Sequence, residues 1–315
     1  MKMKASAITA AMLFALTAQT VSAADAVGYN TITVPANSDV LVSVPFNQDV
    51  VGTFTVDTVT ANGVTVTNTL TANAYTNGYV RFTSGGGEGL WSTISANGTG
   101  GFTLADTNVL TYVGNGASFR VYKHHTLGSV FPKGMYGISY TNGTKVLVYE
   151  NNRAAMGQNK AAAKLATYST GGGGRWTGTG ISSNTVLAPE TQFVVRNGAA
   201  SGLTLITQGH VPDYTVNMLI AANGDLVIGS GYPVPVVLKD SGLGGTTGRK
   251  VLFFSNSTIG QNKAAGKLAT YSTSGGGRWT GTLVTGNELI NPSEAITFRL
   301  PSGETGAKIT LNKPY

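Results

Sequence analysis

Alternation of apolar with small polar side chains runs through the chain. Thr31-Ile32-Thr33-Val34, Val40-Leu41-Val42-Ser43-Val44, the stretch 53–59 and Val64-Thr65-Val66-Thr67 follow the two-residue period of a strand with one buried face. Between such stretches stand Asn62-Gly63, Asn77-Gly78, Asn142-Gly143 and Asn223-Gly224. These dipeptides suit tight hairpin turns, whose two central residues need positive φ. Strands broken by turns at short intervals predict an all-β fold of tandem antiparallel β-sandwich or barrel-like units. Helix is expected nowhere beyond a loop or single turn at Lys160–Leu165 and another single turn at Leu238–Leu243, since segments this short are unstable alone.

The chain also repeats itself. Residues 157–179, GQNKAAAKLATYSTGGGGRWTGT, and 260–282, GQNKAAGKLATYSTSGGGRWTGT, agree at 21 of 23 positions with an offset of 103. The same offset carries Pro189 onto Pro292, Val195 onto Phe298 and Arg196 onto Arg299. Upstream, Lys145–Tyr149 resembles Lys250–Phe254 after a two-residue adjustment. Repeats of roughly 90 residues are domain-sized, not solenoid units. A degenerate third unit is expected in the first part of the chain. Trp91 and Ser118–Tyr122 follow the order of Trp176 and Gln192–Arg196, and Tyr29–Val44 loosely matches Tyr214–Gly229. The organisation expected is a signal peptide over 1–23, an N-terminal β domain over 24–122, and β repeat units over 123–212 and 213–315.

The beginning of the sequence reads as an export signal. Lys2 and Lys4 precede an apolar run from Ala7 to Ala18, and Val21-Ser22-Ala23 offers a cleavage site after Ala23. The run is shorter than the roughly 20 residues of a spanning helix, so no stable membrane insertion is expected. Loss of the two lysines leaves 19 basic and 14 acidic side chains. That surplus is scattered and carries no nucleic-acid footprint. Only 11% of residues are charged, against about 25% in ordinary domains, while glycine and threonine each number 43. An exported chain without cysteine has no disulfide staple, so its apolar residues must supply the core.

Chemistry is sparse. Gly171–Gly174 and Gly275–Gly277 resemble a phosphate loop in composition, but each joins two strand-like segments and reads as a hairpin tip. Arg175-Trp176 and Arg278-Trp279 allow two readings. Either the indoles are exposed platforms for a sugar ring with arginines beside them, or they point inward with Tyr168 and Tyr271 and leave the arginines outside. Lys160 and Lys263, each after an asparagine, suggest a lysine–asparagine cross-link only weakly. His124 and His125 would face opposite ways, His210 stands alone, and no spacing of acids matches a calcium or zinc site. There is no Gly-x-Ser-x-Gly elbow and no evident acid–base pair, so no enzyme, metal or cofactor is expected.

The segments GYNTITVPANSDVLVSVPF, YVRFTSGGGEGLWSTISANGTGGFTL, SFRVYKHHTLGSVFP and PVPVVLKDSGLGG, with the repeated block, resemble an uncharacterised family of exported β-rich proteins of Verrucomicrobia and related bacteria. The resemblance implies export and brings no catalytic residue. The expected function is structural: a secreted, cell-surface or extracellular-matrix assembly protein that self-associates or joins other surface components, with the periplasm as another location. The alternative is a glycan-binding module or adhesin with Trp176, Arg175, Trp279 and Arg278 as two equivalent sites.

Overall fold

The computed structural model describes residues 26–132, 140–149, 157–159, 161–292 and 294–315; the export segment with Ala23, and Lys160, lie outside the described residues. The protein is all-β, as the alternation predicts. It opens with β1 (Val27–Val34) and β2 (Ser38–Ser43). Seven strands follow: β3 (Val50–Thr55), β4 (Val59–Thr60), β5 (Gly63–Thr65), β6 (Gly78–Phe82), β7 (Trp91–Asn97), β8 (Gly101–Leu104) and β9 (Ser118–Lys123). Next come β10 (His125–Thr126), a single helical turn α1 (Leu127–Val130), β11 (Lys145–Tyr149), β12 (Lys164–Ser169), β13 (Arg175–Gly178), β14 (Ile181–Ser182), β15 (Val186–Leu187), β16 (Gln192–Asn197) and β17 (Leu203–His210). The last group is β18 (Val216–Ile220), β19 (Asp225–Gly229), β20 (Val236–Val237), β21 (Lys250–Phe253), β22 (Lys267–Ser272), β23 (Arg278–Thr280), β24 (Leu289–Ile290), β25 (Ala295–Arg299) and β26 (Ala307–Leu311).

Strand pairing departs from the boundary expected at 122/123. β1 pairs with β17 along its whole length, from Val27 opposite His210 to Val34 opposite Leu203. β2 pairs with β16, giving the order β14-β13-β12-β11-β16-β2. The second repeat is built alike: β18 pairs with β26, and the main sheet runs β19-β25-β21-β22-β23. Even the register agrees, with Lys145 opposite Thr167 in one sheet and Lys250 opposite Thr270 in the other. Residues 27–43 thus supply the first repeat's own two leading strands. The loose match of Tyr29–Val44 to Tyr214–Gly229 therefore marks the start of the first repeat, not of a third.

The segment β3–β9 is an insert in the first repeat. Between β19 and β20 the second repeat needs only residues 230–235, whereas between β2 and β10 the chain spans 44–124. The insert's sheet runs β3-β9-β6-β7-β8-β5-β4. Its first five strands follow the same sequential order as the repeat sheets, with the first and last long strands adjacent and the middle three after them. Trp91 sits on β7, the position held by β12 and β22 in the repeats, so it is no counterpart of Trp176 on β13.

Each of the three sheets buries one face in its own core. Val40, Val42, Val146, Val148, Phe193 and Val195 meet Ile32, Val34, Leu203 and Leu205 from the β1–β17 ribbon. In the second repeat Leu226, Ile228, Val251 and Phe298 meet Val216, Met218 and Ile309 from the β18–β26 ribbon. Phe54, Val80, Phe82, Ile94, Phe102 and Phe119 fill the insert. The ribbon closes over the sheet because the chain turns a corner between them. At those corners Asn37 (φ 49°) and Asn223 (φ 52°) adopt the left-handed conformation that asparagine tolerates. Asn223-Gly224 is therefore a corner between two sheets and not the hairpin its sequence suggests.

The outer faces of the two repeat sheets oppose each other, and here the repeated GQNK loop acts. Arg196 pairs Asp39 through two bonds, Nε to Oδ1 at 2.8 Å and Nη2 to Oδ2 at 2.7 Å. Asn262, from the second repeat, accepts from Arg196 Nη2 at 2.6 Å, and its backbone N–H donates to Asp39 at 2.7 Å. The reciprocal set is present. Arg299 grips Asp225 at 2.6 and 2.7 Å, Asn159 of the first repeat accepts from Arg299 at 2.8 Å, and its N–H donates to Asp225 at 2.7 Å. Asn159 (φ 55°) and Asn262 (φ 53°) are both left-handed. Alanine there keeps the backbone N–H but loses the charge-assisted bond that the side-chain oxygen accepts from arginine, and it strains the backbone. Asn159→Ala and Asn262→Ala are each expected to lower unfolding stability by roughly 1–3 kcal/mol, read as the urea midpoint. The double variant is expected to lose more than either single. Unchanged midpoints would show that the sheets hold together without this exchange.

Candidate functional site

Trp176 and Trp279 are core residues, 3% and 5% exposed. Each lies opposite a tyrosine on the neighbouring strand, Trp176 by Tyr168 and Trp279 by Tyr271, with ring centroids 5.2 and 5.1 Å apart. Trp176 Nε1 donates to the Phe131 carbonyl at 3.0 Å, which satisfies the buried indole. Arg175 and Arg278 point outward into solvent, as strand alternation requires. Neither indole can serve as a platform for a sugar. The glycine runs form exposed tips between β12 and β13 and between β22 and β23. Lys263 Nζ donates to the Ser255 carbonyl, and the Asn262 side chain is engaged with Arg196. Among the described residues no group of three metal-ligating side chains converges.

What sequence reasoning missed is the junction where insert and repeats meet. Arg81, on β6, is 1% exposed. Its Nη1 donates to the Gly89 carbonyl at 2.8 Å and its Nη2 to Glu190 Oε1, from the first repeat, at 2.6 Å. The guanidinium also lies 4.7 Å from the ring centre of Tyr214, at the start of the second repeat. Asn47 joins the cluster, accepting from Tyr79 at 3.2 Å and from Tyr214 at 2.8 Å. Burial pushes both phenols well above their ordinary pKa, so they stay neutral donors. Gly89 (φ 76°) is forced at this place, because a Cβ there would overlap the Thr215 carbonyl.

Beside this junction opens a cleft of about 540 Å³. Trp91 and Thr93, half-buried neighbours on one face of β7, form one wall. Pro189 of the first repeat and Met218 of the second contribute others. Trp91 is held by an edge-on contact with Tyr79 at 6.0 Å. At the rim, Asp106 accepts from the Asn108 backbone at 3.0 Å and from Asn108 Nδ2 at 2.7 Å, which orients both side chains. The cleft therefore offers a half-exposed indole with a hydroxyl, a carboxylate and an amide nearby. Its volume is that of an ordinary small-ligand site. Comparison with protein-family models, curated proteins and solved structures gives no match, so the chemistry of the cleft rests on its own residues.

The hinge between insert and first repeat contains His124 and His125. His125 contacts Gln48 Nε2 through Nδ1 and the Phe46 carbonyl through Nε2, both at 3.0 Å. His124 is 8% exposed and lies 5.1 Å from the Tyr79 ring. Burial lowers its pKa from the ordinary 6.5 to about 4. The folded state holds the neutral ring, so between those two values the unfolded chain binds more protons. The stabilisation is complete above about pH 6.5 and is lost as pH falls through about 4, by up to roughly 3 kcal/mol. The melting temperature is expected to drop on acidification from pH 7 to 4, with His124→Phe flattening the slope. An equally steep slope in that variant would assign the acid sensitivity elsewhere.

Proposed function

We propose that the mature chain is an exported, non-catalytic glycan-binding protein of the cell surface or extracellular matrix, with Trp91 as its platform. One observation carries the reading. Of the protein's three tryptophans two are core residues, and Trp91 alone lies half-buried on the wall of a ligand-sized cleft. An indole stacks on the apolar face of a sugar ring while rim groups such as Thr93, Asp106 and Asn108 bond its hydroxyls. The low charge of the chain suits a neutral ligand. No helix among the described residues is long and apolar enough to cross a membrane. Trp91→Ala is expected to weaken binding to neutral glycans on an array at least tenfold, and Asn108→Ala to weaken it less with the melting temperature unchanged. Binding that survives both changes, or an array with no neutral glycan bound, overturns the reading.

A second reading, surface assembly, has an observation of its own. β1 pairs only with β17 among the described residues, and Val27 and Tyr29 on it are 70% and 71% exposed. A long edge strand with exposed apolar side chains is a template for another chain. Sedimentation of the mature protein is expected to show concentration-dependent oligomers that Val27→Lys with Tyr29→Lys disperses. A monomer at all concentrations sinks this reading.

A further inference from the structure

The opposed faces of the two repeat sheets leave a cavity of about 340 Å³ between them. Strand register sorts its apolar walls from its charged ones. Leu147, Val194 and Leu41 stand side by side across β11, β16 and β2. Leu252, Thr297 and Val227 do so across β21, β25 and β19. Two residues along the same strands come Arg196 with Asp39 and Arg299 with Asp225. On each sheet the cavity therefore joins a largely aliphatic strip to a charged border.

In that border donors outnumber acceptors. Each aspartate already accepts from Nε and Nη2 of its arginine and from an asparagine N–H of the opposite repeat. Pairing through the Nε–Nη2 edge leaves Nη1 on the other edge of the guanidinium. In both arginines Nη1 is accessible and has no hydrogen-bond partner among the described residues. The Tyr149 hydroxyl has none there either, and it lies within the field of Asp39 and Arg196. Burial raises its pKa, so it stays a neutral donor. The matching position of the second repeat holds Phe254, so the repeat architecture does not require this hydroxyl.

Lys263 belongs to the same end of the cavity, close enough to Asp39 to feel its charge. It forms no ion pair among the described residues and gives one N–H to the Ser255 carbonyl. Burial lowers its pKa, as expected of an ammonium partly stripped of water. Asp39 and Asp225 are matched by Arg196 and Arg299, so Lys263 leaves the lining with a net positive charge.

We propose that this cavity binds a small organic acid as its carboxylate anion. Arg196 Nη1, the Tyr149 hydroxyl and the Lys263 ammonium surround the carboxylate, while the aliphatic strips and Phe254 cover a short hydrocarbon body. A neutral ligand leaves the lysine charge uncompensated, and an inorganic anion leaves the strips wet. The volume is at the small end of ligand sites. The site is separate from the Trp91 cleft and independent of the glycan reading.

The test is calorimetric titration of the full mature protein with three probes. Hydrocinnamate carries both charge and body, hydrocinnamyl alcohol the body without the charge, and acetate the charge without the body. One-to-one binding of hydrocinnamate is expected, with the alcohol and acetate each at least tenfold weaker. Lys263→Gln and Tyr149→Phe are each expected to weaken hydrocinnamate binding several-fold. Tyr149→Phe, which copies the second repeat, is expected to melt with the parent. No saturable binding of hydrocinnamate, equal binding of the alcohol or of acetate, or undiminished affinity in both variants would overturn the proposal.

Discussion

Everything in the arrangement of the two repeats follows from the need to bury the second face of each sheet without stranding a charge. A ribbon covers one face of each sheet, and the other face carries Asp39 and Arg196 or Asp225 and Arg299. Paired face to face, the sheets would enclose carboxylates whose oxygens are only partly used by their own arginine. An uncompensated buried charge is far more costly than an unburied one. The loop from the opposite repeat completes the set, with an asparagine N–H for the carboxylate and its side-chain oxygen for the guanidinium. Asparagine is the residue that supplies both while occupying a left-handed backbone. Because each loop meets the same acceptor geometry, the two loops carry the same GQNK sequence.

The insert enters where the first repeat's chain passes from one sheet to the next short strand pair. It leaves after β2 and returns at β10, between strands that pair with β16 and β15. Its orientation is then fixed by Arg81, which contacts all three parts at once. Glu190 is present where Arg81 must be neutralised. The second repeat, which has no insert, holds Ser293 at the matching position. The cleft at Trp91 is a product of that docking, since its walls come from the insert and from both repeats.

The all-β class was legible because strand alternation is a local signal, whereas the sequence left Trp176 and Trp279 open between platform and core, since alternation says which residues share a face and not which face is buried. The connectivity was not. Strand β2 shares a sheet with β11–β14 and β16, and β1 pairs with β17, but the chain between carries its own strands, so collinear comparison assigns the leading strands to the wrong unit. Trp91 suffered the same error: it precedes an SFRVY strand as Trp176 precedes QFVVR, yet it sits one strand earlier in the order. The role of GQNK was invisible for another reason. Its partners Asp39 and Asp225 belong to the opposite repeat, and no local pattern announces a contact across 223 residues of chain.

Repetition nonetheless offers an internal control. Where the two units agree, at Asn159 and Asn262, Tyr168 and Tyr271, Trp176 and Trp279, the shared residues hold sheets and cores together. At two positions where they differ, a contact particular to one unit supplies the reason. Ser43 faces Gly229 in close contact across the interface, which explains that difference sterically. Glu190 answers Arg81. Gln192 against Ala295 has no such explanation, for both sit on equivalent strands and only one carries polar atoms with nothing to bond. The Gln192 amide lies buried without a hydrogen-bond partner among the described residues, beside a cavity whose walls mix Leu41, Leu147 and Val194 with Asp39, Arg196 and Thr297. The asymmetry of the repeats, more than their identity, is where binding chemistry should be sought.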